Sequence, residues 1–210
     1  MGDPKFPHKT YSTPRHPWEK ERIDAEMLIV KKYGLKNKKE LWKGQAVLNS
    51  FRSQARELQA KLRNNDASAQ KQYDALIAKL NRYRILGSNA TLDDVLSLDI
   101  ETILSRRLQT IVYRRNLSRT LKQARQLITH GHVSLNGRRV TIPSIMVESS
   151  LEDSVEYVES SAFRDDLHPT RQAIMVNVLP NGEREEKKPE EEREPPRRND
   201  RQGRRGGRSR

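Results

Sequence analysis

Apolar side chains recur at helical spacing over most of the chain and alternate with polar ones in a short stretch past its middle. Ile23, Met27 and Val30 mark a first helix that begins near Trp18 and stops at Gly34. Leu41, Val47, Phe51, Leu58 and Leu62 mark a second helix, about Lys38 to Arg63; a third is expected from about Ser68 to Leu86, ended by Gly87. At Thr91 the letters "TLDD" set a hydroxyl three residues before an acid, the capping-box arrangement that satisfies free helix N–H groups, so a short helix opens there. The spacing then predicts one longer helix from about Ile100 to Arg115. Leu104, Leu108, Ile111 and Val112 share one face of it, while Arg107, Thr110 and Arg114 share another. A last helix turns Leu121, Ala124 and Ile128 inward and Arg119, Lys122, Gln126 and Thr129 outward, with Ser118 as its N-cap and Gly131 as its terminator.

The period then changes. In "HVSLNGRRVTI" Val133 and Leu135 alternate with polar neighbours, and Asn136-Gly137 suits a two-residue turn that needs positive φ twice, so a β-hairpin is expected. Pro143 ends it, and "IMVES" and "SVEYVE" suggest one or two further short strands. Residues 1–17 hold four prolines and no helical period, which reads as an extended arm that takes shape against a partner. From Pro180 onward apolar side chains almost vanish, so nothing offsets the entropy of ordering and a disordered tail is expected. The fold class expected is α+β: an arm (1–17), a basic helical domain (18–90), a domain of two packed helices with a hairpin and short strands (91–180), and a charged tail (181–210).

Composition sharpens this picture. Hydrophobic and charged residues each make up 33% of the 210 residues, so the cores are small, and the formal charge of +13 points to a polyanionic partner. The chain has no apolar run near the ~20 residues a membrane span needs, so it is expected to be soluble and intracellular. It has no cysteine, which removes disulfides, thiol catalysis and cysteine zinc sites. The charge is also unevenly placed. Thr102 to Val147 carries eight Arg and one Lys with no Asp or Glu, whereas residues 148–166 carry seven acids and one Arg, an acidic flank expected to point away from the polyanion. The last sixteen residues hold seven Arg and one acid, which suits either a phosphate-seeking or a solubilising tail.

Two helices with basic faces and a tight hairpin behind them can present one cationic surface on a rigid base. Such a surface suits folded RNA, whose helices are recognised through phosphates, 2′-hydroxyls and shape, and Arg suits it better than Lys because its planar fork holds phosphate bidentately. A basic helix face alone is as readily a solvated face; the joint occurrence across two helices, a turn and both chain ends is what favours binding. His130 and His132 lack a third ligand in the sequence, so no metal is expected; hydrogen bonding to phosphate or a 2′-hydroxyl, or a helix C-terminal contact for His130, suits them better. No Ser/His/Asp set or phosphate-cradling glycine loop is present, so neither enzymatic activity nor a cofactor is expected.

The stretch "RRLQTIVYRRNLSRTLKQARQLITHGHVSLNGRRVTIPS", Arg106 to Ser144, resembles the RNA-binding domain named after small-subunit ribosomal protein four, whose pattern centres on A-R-Q-L-I/V-x-H-G-H-V-x-x-N-G with a following P-S. "YSTPRHPWEKERIDAEMLIVKKYGLKNKKELWK", Tyr11 to Lys43, resembles the N-terminal region of the archaeal and eukaryotic form of that protein. The resemblance implies a primary binder of small-subunit (16S-type) ribosomal RNA that acts early in assembly and helps line the messenger entry region, in the cytoplasm, beside other small-subunit proteins. It assigns RNA contact to Arg106, Arg107, Arg114, Arg115, Ser118, Arg119, Lys122, Arg125, Gln126, His130, His132, Asn136 and Arg138. Some bacterial relatives carry a cysteine zinc site near the N-terminus, which this cysteine-free chain cannot form. Two alternatives use the same module: an RNA-modifying enzyme, which would need a separate catalytic domain, and an assembly factor that leaves before translation.

Overall fold

The structure, a computed structural model, describes residues 8–64, 66–87 and 90–175. Three helices open it: α1 (Lys20–Lys32), α2 (Lys38–Arg63) and α3 (Ala67–Arg82). Leu41, Leu48, Phe51, Ala55 and Leu58 of α2 recur at steps of three, four and seven, one stripe of the helix, and all are buried. From Leu48 onward this stripe packs with Leu76 and Leu80 of α3 and with Leu92 and Val95 of α4 (Leu92–Ser97) into a first core. Asp94 accepts the Thr91 backbone N–H at 2.8 Å, the capping box that "TLDD" predicts. α3 stops before its expected end: Arg84 takes the left-handed conformation (φ 52°) and the Ile85 N–H returns to the Leu80 carbonyl, so Gly87 is not the terminator. On α1, Met27 is exposed (43%), and Ile23 and Val30 are only half-buried. The described part of the arm is tied down within the chain itself. Arg22 Nη2 donates to the carbonyls of His16 (3.0 Å) and Pro17 (3.1 Å), and the Tyr11 ring lies 6.1 Å from that of Trp42.

The single helix expected from Ile100 to Arg115 is instead two, α5 (Ile100–Ser105) and α6 (Leu108–Arg114), with Arg106 and Arg107 at the break. The cause lies in a distant segment. Leu108 N–H donates to the Ile145 carbonyl at 2.8 Å, Gln109 N–H to that of Pro143 at 3.3 Å, and Val147 N–H to that of Arg106 at 3.0 Å. These bonds claim the backbone that a continuous helix would use. Thr110, expected on an outward face with Arg107, is buried and donates its hydroxyl to the Leu104 carbonyl.

α7 (Leu121–Thr129) starts at Thr120, whose hydroxyl accepts from Gln123 N–H at 3.2 Å; the expected cap, Ser118, is wholly buried. The hairpin forms as expected: β1 (Val133–Leu135) pairs antiparallel with β2 (Arg138–Arg139) around Asn136 (φ 50°) and Gly137 (φ 74°). β3 (Val155–Tyr157) pairs with the other edge of β1, giving the order β2-β1-β3. Leu108, Ile111 and Val112 of α6, Ala124 and Ile128 of α7, and Val133 and Val155 of the sheet form a second core. A short helix, α8 (Pro169–Met175), ends the described chain, so the tail expected from 181 to 210 lies outside the described residues.

Candidate nucleic-acid interface

α7 buries Ala124, Leu127 and Ile128 and leaves Lys122, Gln126 and Thr129 exposed, because steps of three and four place these polar residues on the opposite stripe. Arg119 stands exposed just before the helix, Arg114 exposed at the end of α6, and His130 exposed at the far end of α7. Asn136 and Arg138 lie exposed on the hairpin, joined to α7 by the tight turn at Gly131 (φ 77°). Arg139 extends over Gly131 and its Nη2 donates to the His130 carbonyl at 3.1 Å, so one guanidinium satisfies the C-terminus of α7.

Four of the residues expected on this surface take other roles. Arg106 is 5% exposed and its Nη2 donates to Glu152 at 2.8 Å. Arg107 is 6% exposed and its Nη2 donates to Glu40 at 2.7 Å. Ser118 is fully buried. Arg115 is half-buried and donates to the Glu152 carbonyl at 2.6 Å and to Asp153 at 3.2 Å. The acidic flank therefore does not simply turn away: Glu152 and Asp153 neutralise arginines of the acid-free stretch, which the chain brings back against them.

Arg125 is half-buried and shares Glu40 with Arg107, donating from Nη2 to Oε1 at 2.7 Å and from Nη1 to Oε2 at 3.1 Å. Burial would raise the Glu40 carboxyl, yet the hydrogen bond from Arg125 and the charges of Arg107 and Arg125 hold it below the ordinary glutamate value. Burial depresses Arg107 against the pull of Glu40, though a guanidinium stays charged throughout the physiological range. Glu40 thus joins α2 to α6 and α7. Beside it Gln109, 1% exposed, donates from Nε2 to the carbonyls of Gly34 and Leu121, both at 3.0 Å, so the α1–α2 loop is bound to the start of α7. Gly34 (φ 59°) allows that approach, since a Cβ there would lie 2.7 Å from Leu121 Cβ. Neither Glu40 nor Gln109 was evident in the sequence, and only the buried phase of Gln109 on α6, beside Leu108 and Val112, carried a signal. Lys36 and Lys39, around the start of α2, are exposed.

His132 is half-buried, with Nδ1 3.0 Å from Ser161 Oγ and its ring edge-on to Phe163 at 4.8 Å. Burial, then His130 and Arg139, push its pKa down, so it is uncharged at neutral pH and a hydrogen-bonding rather than a cationic member of the surface. Among the described residues, no group of three or more His, Asp or Glu side chains is placed to hold a metal ion.

A family model described as the S4 domain matches residues 106–153, the stretch from the helix break to the acids that pair with it. The chain is 61% identical over 186 residues to a protein of Thermoplasma acidophilum named small ribosomal subunit protein uS4, covering 89% of this chain and 94% of that one. A uS4 protein of Picrophilus torridus is 65% identical over 171 residues (81% and 93%), and one of Methanococcoides burtonii 48% over 182 residues (85% and 99%). Identity at this level, along nearly the whole of each relative and across both the helical part and the hairpin module, places the chain in the uS4 family of small ribosomal subunit proteins.

Proposed function

We propose that this protein is a structural constituent of the small ribosomal subunit that binds small-subunit rRNA directly, acts early in its assembly and helps line the messenger entry region, in contact with neighbouring small-subunit proteins. The observation that supports the proposal is that α6, α7 with its approach, and the hairpin turn each leave polar donors exposed: Arg114, Arg119, Lys122, Gln126, His130, Asn136 and Arg138. Cations on a packed base need no backbone ordering when they meet phosphates, and each phosphate neutralised releases counterions. Arg106 and Arg107 serve this surface from beneath, as its anchors to Glu152 and Glu40.

Two measurements test the proposal. Binding of the full chain to a small-subunit rRNA transcript, titrated with salt, is expected to show a steep log-log slope; a flat slope overturns the phosphate-based reading. In gradient sedimentation of lysate the protein is expected with mature small subunits; confinement to precursor particles would instead identify an assembly factor.

A further inference from the structure

A cleft of about 380 Å³ opens where α2 faces α5, α7 and the Pro143–Val147 segment, within the size range of small-molecule sites, about 300–1,000 Å³. Its apolar lining comes from Val47 of α2, Ile103 and Leu104 of α5, and Pro143 and Met146. Its polar lining is Ser144 and four charged residues, Glu40, Lys43, Arg107 and Arg125, three cations against one carboxylate. Glu40 is committed to the two arginines. Lys43 stands exposed with no carboxylate paired to it among the described residues. Arg107, one of the lining residues, has its Nε buried without a hydrogen-bond partner, a donor that the fold itself does not satisfy.

An occupant of this cleft must offer a flat apolar body, an anion and an acceptor. A nucleotide has all three. The cleft is also continuous with the exposed cationic stripe, because Arg125 lies on α7 between Lys122 and Gln126. We infer that the cleft takes one unpaired nucleotide turned out of the bound RNA, its base between Val47 and Met146 and its phosphate toward Lys43 and Arg125. This rests on the RNA-binding reading above and adds to it a pocket for a single base, which an interface limited to phosphate contacts lacks. Bases stack and pack on side chains with little regard to sequence, so the pocket selects for an unpaired position rather than for one base.

The test uses the full chain with methyl-labelled methionine and two probes, a small-subunit rRNA transcript and adenosine monophosphate. The Met146 methyl resonance is expected to shift on binding RNA and to shift only weakly with the free nucleotide. Val47→Trp fills the mouth of the cleft from a position already 38% exposed, and is expected to abolish that shift and to weaken RNA binding about tenfold. Lys43→Glu, at an exposed position on the rim of the cleft, is the second variant should Val47→Trp lower the melting temperature, and is expected to weaken binding by a similar factor. RNA affinity and the Met146 shift both unchanged in these variants overturn the inference and leave the RNA-binding reading standing. A Met146 response to the free nucleotide alone also overturns it. Failure of the unaltered chain to bind the transcript at all defeats the broader reading first.

Discussion

Glu40→Ala is the substitution expected to cost most among the charged residues. Its carboxylate holds two guanidinium groups at 2.7 Å, one of them on Arg107 at 6% exposure. Removing one partner of a buried pair leaves an uncompensated charge, a cost of about 3–5 kcal/mol. The low end applies, because the Glu40 side chain itself is only partly buried. Arg125, more exposed, adds less than about 1 kcal/mol. For a chain of this size 1 kcal/mol moves the melting temperature by roughly 2–4 °C, so a loss of about 3 kcal/mol is a fall of roughly 6–12 °C. Urea unfolding of the parent, Glu40→Ala, and Glu40→Ala with Arg107→Met separates charge from packing. The double variant should regain most of the loss, since an apolar side chain needs no partner there. A single variant within 1 kcal/mol of the parent, or a double variant less stable than the single, would refute the reasoning. The pH dependence has a definite sign. The folded carboxyl lies below its unfolded value, so its contribution is complete above the ordinary glutamate range and is lost as pH falls through the lower folded value. Glu40→Gln should flatten that acid limb and leave stability near neutral pH insensitive to pH.

Gly34→Ala adds positive-φ strain to a collision 2.7 Å from Leu121 Cβ and should cost roughly 2–5 kcal/mol in thermal or urea unfolding; a neutral outcome would show that the α1–α2 loop is not held against α7. Gly137→Val meets no neighbour within 4 Å, so its cost is that of φ alone, about 1–2 kcal/mol, and it should broaden the amide resonances of β1 and β2; undisturbed hairpin resonances would count against the turn geometry. Changing Arg114, Arg119 and Lys122 together to Ala should leave the melting temperature nearly unchanged and lower the salt slope of RNA binding by roughly one unit for each phosphate no longer neutralised. Arg107 is left out of that set because its loss would act through Glu40. An unchanged slope would place the binding face elsewhere.

Elements whose structure depends on neighbours in sequence were legible before the fold was known. The stripe of α2, the stop at Gly34, the capping box at Thr91 and the Asn136-Gly137 turn all arise from residues within a few positions of each other, so spacing alone reveals them. The break at Arg106-Arg107 was not legible, because it is made by carbonyls and an N–H about forty residues downstream, and periodicity on its own favours continuing the helix. Ser118 and Thr120 show the same limit on a smaller scale: both can cap a helix, and packing of the second core takes Ser118 inside and leaves Thr120 to do so.

The arginines carry this further. Forty-six residues without an acid suggest nine free cations, yet Glu40 and the Glu152–Asp153 pair, outside the stretch on either side, fold against four of them. Charge in sequence therefore overstates charge at the surface. What separates the two groups is helical phase and the backbone break rather than residue type. Lys122 lies opposite the buried positions of α7, Arg119 just before that helix and Arg114 at the exposed end of α6, whereas Arg106 and Arg107 lie where a crossing segment buries them. The anchoring ion pairs fix the orientation of α6 and α7 against α2, so the cations that remain exposed stand on a base that does not need ordering when RNA arrives. On that account Glu40, an acid, favours the binding of a polyanion: its loss should weaken RNA affinity even though it removes a negative charge. A rise in affinity for Glu40→Gln, measured well below its melting temperature, would mean that net charge and not the fixed geometry governs the interface.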